Sequence, residues 1–245
     1  MEAFIFTKMG SKPFQFKQFN VAQNRCTHKV GTDGVLLGAW VNIQESDRTM
    51  LDVGTGSGLI ALMLAQRSCA ETRIDALDIA APEVEQAKEN VQRSPWPEKI
   101  HVYQKPVQKF ACERKYDLIV SNPPYFVNCL LPPEKKRSVA RHTRELSFED
   151  LLQNASRLLS PAGRLAVILP YDEGVKFIDL GQEYQLFLVR QTAFRAREHK
   201  PYERLLLELA HESKSPVENE ITLFAAGETW SESYKTLIRD FYLKG

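Results

Sequence analysis

Short apolar runs alternate with amphipathic stretches through the middle of the chain. Apolar runs at residues 50–53, Arg73–Asp78, 100–103 and Tyr116–Ser121 predict four buried strands. Strands that alternate with helices are typical of βαβ units, in which parallel strands are joined by helices that cover the sheet. The pattern therefore predicts an α/β fold built on a parallel sheet.

Apolar residues at helical spacing fill the segments between these strands. Leu59–Arg67 follows the first strand, and the next helix opens at Pro82, whose missing N–H costs nothing in the first turn. A third helix begins after Ser147, a capping residue, and a fifth strand follows over residues 163–169.

Both ends of the chain depart from this alternation. Residues 184–194 and Arg204–Ala210 are apolar-rich and are joined by a charged loop, so they predict an antiparallel pair of strands. Residues 230–243 predict a terminal helix. Near the beginning, phenylalanines that alternate with polar residues over 14–19 predict a short strand, and residues 35–40 predict a short helix on the sheet.

Composition narrows the class of protein. The chain has 245 residues, of which 43% are hydrophobic and 26% charged, close to the averages of globular domains. No apolar run reaches the roughly 18 residues needed to span a bilayer, and the N-terminus lacks the apolar segment of a signal peptide. The four cysteines and five histidines show no ligand spacing. We therefore expect a cytoplasmic protein without a metal centre.

Three basic clusters carry the charge that a nucleic acid would need, although the formal net charge is only +1. The candidate RNA-binding residues in them are Lys17, Arg25, Lys135, Lys136, Arg137, Arg141, Arg144, Arg195, Arg197 and Lys200. Charge separated in this way can give a near-neutral protein an electropositive face. For any one cluster taken alone, a solvated surface is the stronger interpretation, because lysine and arginine are common there.

The strongest local signal is a glycine turn between a strand and a helix, with the sequence Asp52-Val53-Gly54-Thr55-Gly56-Ser57-Gly58. Glycine lets the backbone take positive φ and approach a ligand closely, and the N–H groups at the helix start favour anionic or polar groups. The GxGxG spacing differs from the GxGxxG of dinucleotide sites. Asp52 would repel a pyrophosphate, but it could bind an ammonium group.

A second acidic residue, Asp78, ends the following strand about twenty residues after the turn. A carboxylate at that place can accept both hydroxyls of a ribose. Asp52 and Asp78 around a glycine turn therefore suit a nucleoside that also bears an amino acid, and S-adenosylmethionine is such a molecule. The alternative is a plain strand–turn–helix with two acids that face solvent.

The tetrapeptide Asn122-Pro123-Pro124-Tyr125 follows the fourth strand, at the edge where open α/β sheets bind ligands. The side-chain carbonyl of Asn122 and the backbone carbonyl of Pro123 can together accept both hydrogens of one NH₂ group. Tyr125 offers a flat face on which a base can stack. The arrangement predicts that a planar amino group is held with its nitrogen lone pair towards an electrophile. Alone, the tetrapeptide is also compatible with an ordinary proline-rich turn.

These motifs resemble those of a known family. The glycine turn with Asp78 resembles the cofactor loop of class I S-adenosylmethionine-dependent methyltransferases. The tetrapeptide resembles motif IV of methyltransferases that act on adenine N6, guanine N2 or the side-chain amide of glutamine. With the block at residues 29–40, most of the chain, from about residue 14 to residue 243, resembles the bacterial tRNA(Val) adenine-N6 methyltransferases.

The resemblance implies an α/β fold, with a seven-stranded mixed sheet, helices on both faces and an antiparallel C-terminal strand pair. It implies a basic and aromatic extension over residues 1–40, packed on a methyltransferase domain over residues 41–245. The methyl donor would be S-adenosylmethionine, and the acceptor would be the adenosine just 3′ of the anticodon of tRNA(Val). No obligate protein partner is implied.

Positions that match the family's motifs receive roles from the resemblance. The cofactor residues would be Lys29, Thr32, Asp33, Asp52, Gly54, Gly56, Gly58 and Asp78, of which Asp78 would hold the ribose. The target amine would be held by Asn122, Pro123, Pro124 and Tyr125. The family often has an acidic residue after the third strand, but Pro106 stands there in this sequence. The backbone N–H of Val107 is therefore expected to contact the adenine of the cofactor.

Several alternatives remain open at this stage. A guanine-N2 methyltransferase of ribosomal RNA can use the same kind of tetrapeptide. A glutamine methyltransferase of release factors is disfavoured by the basic N-terminus, and a catalytically silent RNA-binding homologue is disfavoured by the intact Asp52, Asp78 and Asn122. The phenylalanines at 14–19 are equally compatible with stacking on bases and with covering the sheet.

Overall fold

A sheet of eight strands forms the centre of the protein in a computed structural model, which describes residues 12–124 and 146–243. The strands in chain order are β1 (Phe14–Gln15), β2 (Asn20–Val21), β3 (Thr49–Val53), β4 (Arg73–Asp78), β5 (Ile100–Gln104), β6 (Tyr116–Ser121), β7 (Leu159–Pro170), β8 (Phe187–Arg195), β9 (Arg204–Ala210) and β10 (Val217–Thr222). β1 and β2 form a separate two-stranded sheet.

Helices connect most of these strands. They are α1 (Thr32–Trp40), α2 (Leu59–Arg67), α3 (Ala81–Gln92), α4 (Phe148–Leu158), α5 (Tyr171–Glu183) and α6 (Glu232–Ile238). A single 3₁₀ turn, Val107–Lys109, follows β5. Within the described ranges, no helix is both long enough and apolar enough to cross a membrane.

The order of strands decides which loops meet. Across the sheet the order is β10-β8-β9-β7-β6-β3-β4-β5, and β9 alone runs antiparallel to its neighbours. The carboxyl ends of β3, β4 and β6 therefore lie at one edge, which we call the carboxyl edge. The loop from β8 to β9 opens to the same edge, because β8 runs in the direction of β7.

Helices cover both faces of the sheet. On one face α1, α2 and α6 pack with the β1–β2 hairpin around residues such as Phe16 and Ile238. On the other face α4 and α5 pack around residues such as Phe177. Adjacent strand residues serve opposite faces, because side chains alternate along a strand: Met50 belongs to the first cluster and Leu51 to the second.

The α1 segment lies unusually close to α2 and to the sheet. A Cβ added to Gly38 would lie 2.6 Å from the Sδ of Met63, so the two helices can approach this closely only with glycine there. At the end of α1, the Trp40 indole N–H donates to the Thr192 hydroxyl at 2.8 Å, and the Arg190 guanidinium lies 3.6 Å from the centre of the Trp40 ring. A boundary between domains at residue 40 stays a prediction.

A buried ionic network fixes the chain after α1. Arg164, on β7, places its Nη2 at 2.7 Å from Asp47 Oδ2 and at 2.9 Å from the carbonyl of Asn42. Glu208, on β9, pairs with Arg190 at 2.7 Å and lies 3.9 Å from Arg164. Buried charges of this kind are tolerated only when they are paired and hydrogen-bonded, so each member depends on the others.

The predicted parallel strands, the antiparallel β8–β9 pair and the helices between the strands are confirmed. Two C-terminal elements differ from expectation. β10 extends the sheet by an eighth strand, which was missed because four of its six residues are exposed and lack apolar alternation. The terminal helix is shorter than 230–243, because Ser231 caps it and Trp230 instead bridges to Phe224.

The phenylalanine-rich segment forms a hairpin rather than one strand. Phe16 and Phe19 are 3% and 4% exposed, and their rings stack with centroids 4.7 Å apart. Phe14 and Tyr242 pack against the Phe16 ring. These contacts favour the interpretation that the phenylalanines cover the core.

Candidate active site

A glycine turn joins β3 to α2 at the carboxyl edge. Gly54, Gly56 and Gly58 have φ angles of 76°, 53° and 82°, which glycine adopts without strain. The N–H groups of Gly54 and Thr55 both donate to the Leu77 carbonyl at 2.9 Å, so the turn is fixed against the end of β4. A Cβ added to Gly54 would meet no atom within 4 Å, which leaves open space at the turn for a ligand.

Asp52 is fully buried beside this turn. Its Oδ2 accepts from the Thr55 hydroxyl at 2.6 Å and from the Ala61 N–H at 3.2 Å, but its Oδ1 has no partner among the described residues. Burial raises the pKa of Asp52 to about 7, and the two hydrogen bonds oppose part of that rise. An unpartnered buried carboxylate oxygen is costly, so this atom is suited to receive a cationic group such as an ammonium.

Asp78 ends β4 next to the same turn. Its Oδ2 accepts from the Gly56 N–H at 2.9 Å and its Oδ1 from the Ala80 N–H at 3.0 Å. Burial raises the pKa of Asp78, these hydrogen bonds lower it, and the nearby charge of Glu83 raises it further. Each carboxylate oxygen keeps a free lone pair, so two hydroxyls could still be accepted.

The residue directly after Asp78 is apolar and was not among the predicted site residues. Ile79 is 48% exposed at the carboxyl edge, beside the carboxylate of Asp78. A single exposed apolar residue carries no periodic signal, so only its place after the strand could have drawn attention to it. It offers an apolar surface next to the polar groups of the site.

Val107 follows β5, the strand that pairs with β4 in the sheet. Gln104, the last residue of β5, pairs in register with Asp78, and the 3₁₀ turn begins three residues later. Val107 is buried as the first residue of that turn, and Pro106 precedes it in extended conformation. The first N–H groups of a helical turn have no acceptor inside it, so the Val107 N–H is open to an external acceptor.

A row of polar side chains on α3 holds an N-terminal segment against the turn. We call this row, Glu83, Gln86 and Asn90, the polar row; its members are 8%, 0% and 2% exposed. The Asn90 side chain bonds both backbone groups of Ala22, at 2.9 and 2.8 Å, and also donates to the Ser57 carbonyl at 2.8 Å. Asn90 therefore joins the N-terminal segment directly to the glycine turn.

Gln86 and Glu83, the other two residues of the polar row, also accept hydrogen bonds from the N-terminal segment. Gln86 Oε1 accepts from the Arg25 N–H at 3.3 Å, and Glu83 Oε1 accepts from the Thr27 N–H at 2.7 Å. The other carboxylate oxygen of Glu83 is the atom nearest to a Cβ built on Gly56, at 3.8 Å. These three residues were not predicted as site residues, because polar residues on a helix are usually solvated; their spacing of three and four residues was the available signal.

The predicted cofactor residues of the N-terminal block lie beyond this segment. Lys29 is exposed, and its Nζ donates to the Gln23 carbonyl at 2.5 Å. Thr32 is exposed at the start of α1. Asp33 pairs with Nε of Arg204 at 2.9 Å, at the end of β9 that lies on the carboxyl edge.

Asn122 leaves β6 next to the glycine turn. Ser121 pairs with Val53 in the parallel register, and its hydroxyl donates to the Val53 carbonyl at 2.8 Å. Asn122 is partly exposed, Pro123 is buried and Pro124 is exposed. The strand order thus brings Asn122 beside the turn that follows Asp52, as the sequence predicted from strand ends alone.

The candidate RNA-binding residues of the last cluster reach the carboxyl edge but have partners. Arg195 lies 3.3 Å from Glu220, and Arg197 pairs with Glu228 at 2.5 Å. Lys200 is exposed in the same β8–β9 loop. Of these three, Lys200 is the side chain most accessible to a phosphate.

The first cluster is placed differently. Lys17 donates to the Arg239 carbonyl at 2.6 Å, next to Asp240, whose carbonyl accepts from Gln66 near the end of α2. Because α2 runs away from the carboxyl edge, Lys17 is not brought to the site. Arg25 lies near the polar row and faces two glutamates of α3 at 3.8 and 3.7 Å.

Some predicted residues lie outside the described ranges. They are Tyr125, Lys135, Lys136, Arg137, Arg141 and Arg144. Within residues 12–124 and 146–243, no group of three histidine, cysteine or acidic side chains is arranged to hold a metal ion.

The described geometry fits a ligand that carries an amino acid at one end and a nucleoside at the other. The unpartnered Asp52 Oδ1 suits an ammonium, the open glycine turn leaves space for the body of the ligand, and Asp78 suits a ribose. Asn122 lies one strand away on the opposite side of β3 from Asp78. A second molecule with an amino group could therefore meet the first ligand there.

Comparison with known proteins adds a family and relatives. The family model for the methyltransferase small domain matches residues 31–192. A tRNA1(Val) (adenine(37)-N6)-methyltransferase from Trichodesmium erythraeum is 46% identical over 96% of this chain and 100% of that protein. One of the same name from Parabacteroides distasonis is 45% identical over the same shares.

A solved structure agrees in architecture. A predicted O-methyltransferase from Agrobacterium tumefaciens superposes with a TM-score of 0.67 at 15% identity, over 85% of this chain and 96% of that one. At this identity the likeness concerns the fold alone.

Proposed function

The chain belongs to the methyltransferase small domain family and, within it, to the tRNA1(Val) (adenine(37)-N6)-methyltransferases, and on that premise we propose that it transfers a methyl group from S-adenosylmethionine to N6 of adenine 37 in a valine tRNA. The predicted class I methyltransferase fold is confirmed. The observation that carries the proposal is the meeting of Asp52, Asp78 and Asn122 at one sheet edge, in a chain that matches relatives of that name over their full length.

S-adenosylmethionine, when bound, supplies an electrophilic methyl group on a positively charged sulfonium. We assign Asp52 Oδ1 to its ammonium and Asp78 to its ribose hydroxyls, because these groups have the free acceptor positions described above. Ile79 and the Val107 N–H would contact the adenine. The further cofactor contacts that we propose are Lys29, Thr32, Asp33, Gly54, Gly56 and Gly58.

The target adenine would be held by the tetrapeptide. The carbonyl of the Asn122 side chain and the backbone carbonyl of Pro123 would accept the two N6 hydrogens, and Tyr125 would stack on the ring, with Pro124 fixing the turn. Two acceptors favour a pyramidal nitrogen, whose lone pair then forms the new C–N bond. S-adenosylmethionine would supply the methyl group and keep the electron pair of its S–C bond, and the surplus N6 proton would leave to water.

A base inside a folded anticodon loop must be turned out of its stack to reach Asn122. The phosphates of the tRNA would contact Lys200 and the basic cluster at residues 135–144. This part of the proposal rests on charge and sequence position. We propose the cytoplasm as the place of action, because that is where its tRNA substrate is found.

The proposal is tested by radiolabelled methyl transfer to total tRNA from a strain that lacks the gene, followed by nucleoside analysis. We expect N6-methyladenosine in the tRNA, and a loss of about 100-fold or more in kcat for Asn122→Ala with an unchanged melting temperature. Label in guanosine, ribosomal RNA or protein would move the substrate to one of the alternatives. Transfer by Asn122→Ala at the normal rate would refute its catalytic assignment.

Binding of RNA is tested separately with a charge reversal. Replacing Lys135, Lys136 and Arg137 by glutamate is expected to weaken tRNA binding and to leave the affinity for S-adenosylmethionine unchanged. Unaltered tRNA binding would contradict the assigned path of the phosphates.

A further inference from the structure

Three carboxylates surround the glycine turn without a cationic partner. Asp52, Asp78 and Glu83 are bonded to neutral donors, and none of them forms an ion pair within the part of the chain that the structure describes. Asp52 is fully buried with an unpartnered oxygen, and Glu83 is only 8% exposed. The charge that these groups carry when ionised is therefore not balanced by an ion pair among the described residues.

Glu83 stands out from its own row. Gln86 and Asn90 hold backbone N–H groups of the N-terminal segment with neutral amide oxygens, and Glu83 holds the Thr27 N–H with a carboxylate. A glutamine at position 83 could make the same hydrogen bond without the cost of burying a charge. The hydrogen bond alone thus does not account for a carboxylate at this position.

The surroundings of Glu83 direct that charge to the turn. Its neighbours include the Thr27 N–H and the Cys26 thiol, whose pKa is raised to about 12 by burial and by Glu83. One carboxylate oxygen lies towards Gly56, and the charge is close enough to Asp78 to contribute to the raised pKa of that residue. Lys29 donates its ammonium to the Gln23 carbonyl and forms no ion pair with Glu83, although its charge acts on the Cys26 thiol.

We propose that Glu83 is a specificity-determining residue that makes the site prefer the cationic methyl donor to its neutral demethylated product. This rests on the proposed function only in taking S-adenosylmethionine as the donor. The donor carries an ammonium, a carboxylate and a sulfonium, for a net charge of +1. Once the methyl group has left, sulfur is a neutral thioether and the net charge is zero, so a buried negative charge holds the donor more strongly and favours release of the product.

The size of the effect follows from Coulomb's law. For a representative separation of about 8 Å between two unit charges, and an effective dielectric constant of about 20 to 40, a binding constant changes about 6- to 30-fold. The measurement is titration calorimetry of the apo protein with S-adenosylmethionine and with S-adenosylhomocysteine. The ratio of the product's Kd to the donor's Kd is expected to fall by that factor in Glu83→Gln.

A matched control is available on the same helix. Glu85 is two residues away with a side chain 67% exposed, so Glu85→Gln removes the same charge from a solvated position. For Glu85→Gln the ratio of the product's Kd to the donor's Kd is expected to stay within about twofold of the wild-type ratio, because water screens exposed charges. Glu83→Asp keeps the charge on a shorter side chain and is expected to retain most of the wild-type ratio.

The outcomes separate this proposal from the proposed function. An unchanged ratio in Glu83→Gln, or equal weakening of both ligands, would overturn the proposal and leave Glu83 as a positioning residue for the N-terminal segment. If Glu83→Asp lowers the ratio of the product's Kd to the donor's Kd as much as Glu83→Gln does, the proposal would also be overturned. A wild-type protein that binds neither ligand would instead overturn the assigned methyl donor, on which both rest.

Discussion

The buried carboxyl group of Asp52 makes a quantitative prediction about stability. Burial raises the pKa of this group from its ordinary value of 3.8 to about 7. The folded protein therefore holds the proton more tightly than the unfolded chain does. The resulting stabilisation is complete below about pH 4 and is lost as the pH rises through about 7.

The magnitude follows from the difference in pKa. The pKa of Asp52 differs by about 3 between the folded and unfolded states, and a pKa difference of one corresponds to about 1.4 kcal/mol. The free energy of unfolding therefore falls by about 4 kcal/mol between low pH and pH 8. Asp52→Asn removes the titration, while its amide oxygen can still accept from the Thr55 hydroxyl and the Ala61 N–H. The variant should therefore gain about 3 kcal/mol relative to the wild type between pH 5 and pH 8.

Urea unfolding of both proteins, followed by tryptophan fluorescence at pH 5, 6, 7 and 8, measures this difference. Titrating groups that do not interact with Asp52 contribute equally to both proteins and cancel, whereas Asp78, whose charge contributes to the raised pKa of Asp52, does not. Two curves that run parallel within about 0.5 kcal/mol over this range would refute the reasoning, because they would mean that Asp52 titrates at the same pH in the folded and unfolded chains. The variant should also bind S-adenosylmethionine more weakly, since it lacks the charge that receives the ammonium.

Two further substitutions test the scaffold that carries the site. Gly163→Ala would place a Cβ 2.5 Å from the Tyr116 carbonyl on β6, so the main chain must shift; we expect a loss of about 1–3 kcal/mol in urea unfolding, and no loss would show that the two strands are not this close. Arg164→Met would leave Asp47 buried without its partner; we expect a loss of about 3–5 kcal/mol, and a loss below 1 kcal/mol would show that the ionic network with Glu208 does not fix the chain after α1.

The central part of the site could be predicted from the sequence because its signals are local. The strand that contains Asp52, the glycines after it and the strand that ends at Asp78 all lie within one βαβ unit. Asn122 follows a strand that the alternation of elements predicted to belong to the same parallel sheet, and the structure pairs this strand directly with β3. Short-range patterns therefore sufficed to predict that these three residues share one edge.

Contacts between distant segments could not be predicted in this way. The polar row on α3 bonds residues 22–27, which are separated from it by more than 50 residues and have no regular structure. From the sequence, Arg195 and Arg197 were expected to be available to RNA. In the structure they pair with Glu220 and Glu228, which lie on the unpredicted β10 and in the turn after it. Tertiary pairing, rather than local pattern, decides how much of a basic cluster remains available.

The most direct test of the account is the site of methylation on one purified RNA. Unmodified valine tRNA transcript is incubated with the protein and S-adenosylmethionine, digested with ribonuclease and analysed by mass spectrometry, beside a transcript with guanine at position 37. We expect one methyl group on adenine 37 of the first transcript and none on the second. Equal methylation of both transcripts, or none on either by a protein that binds the donor, would contradict it.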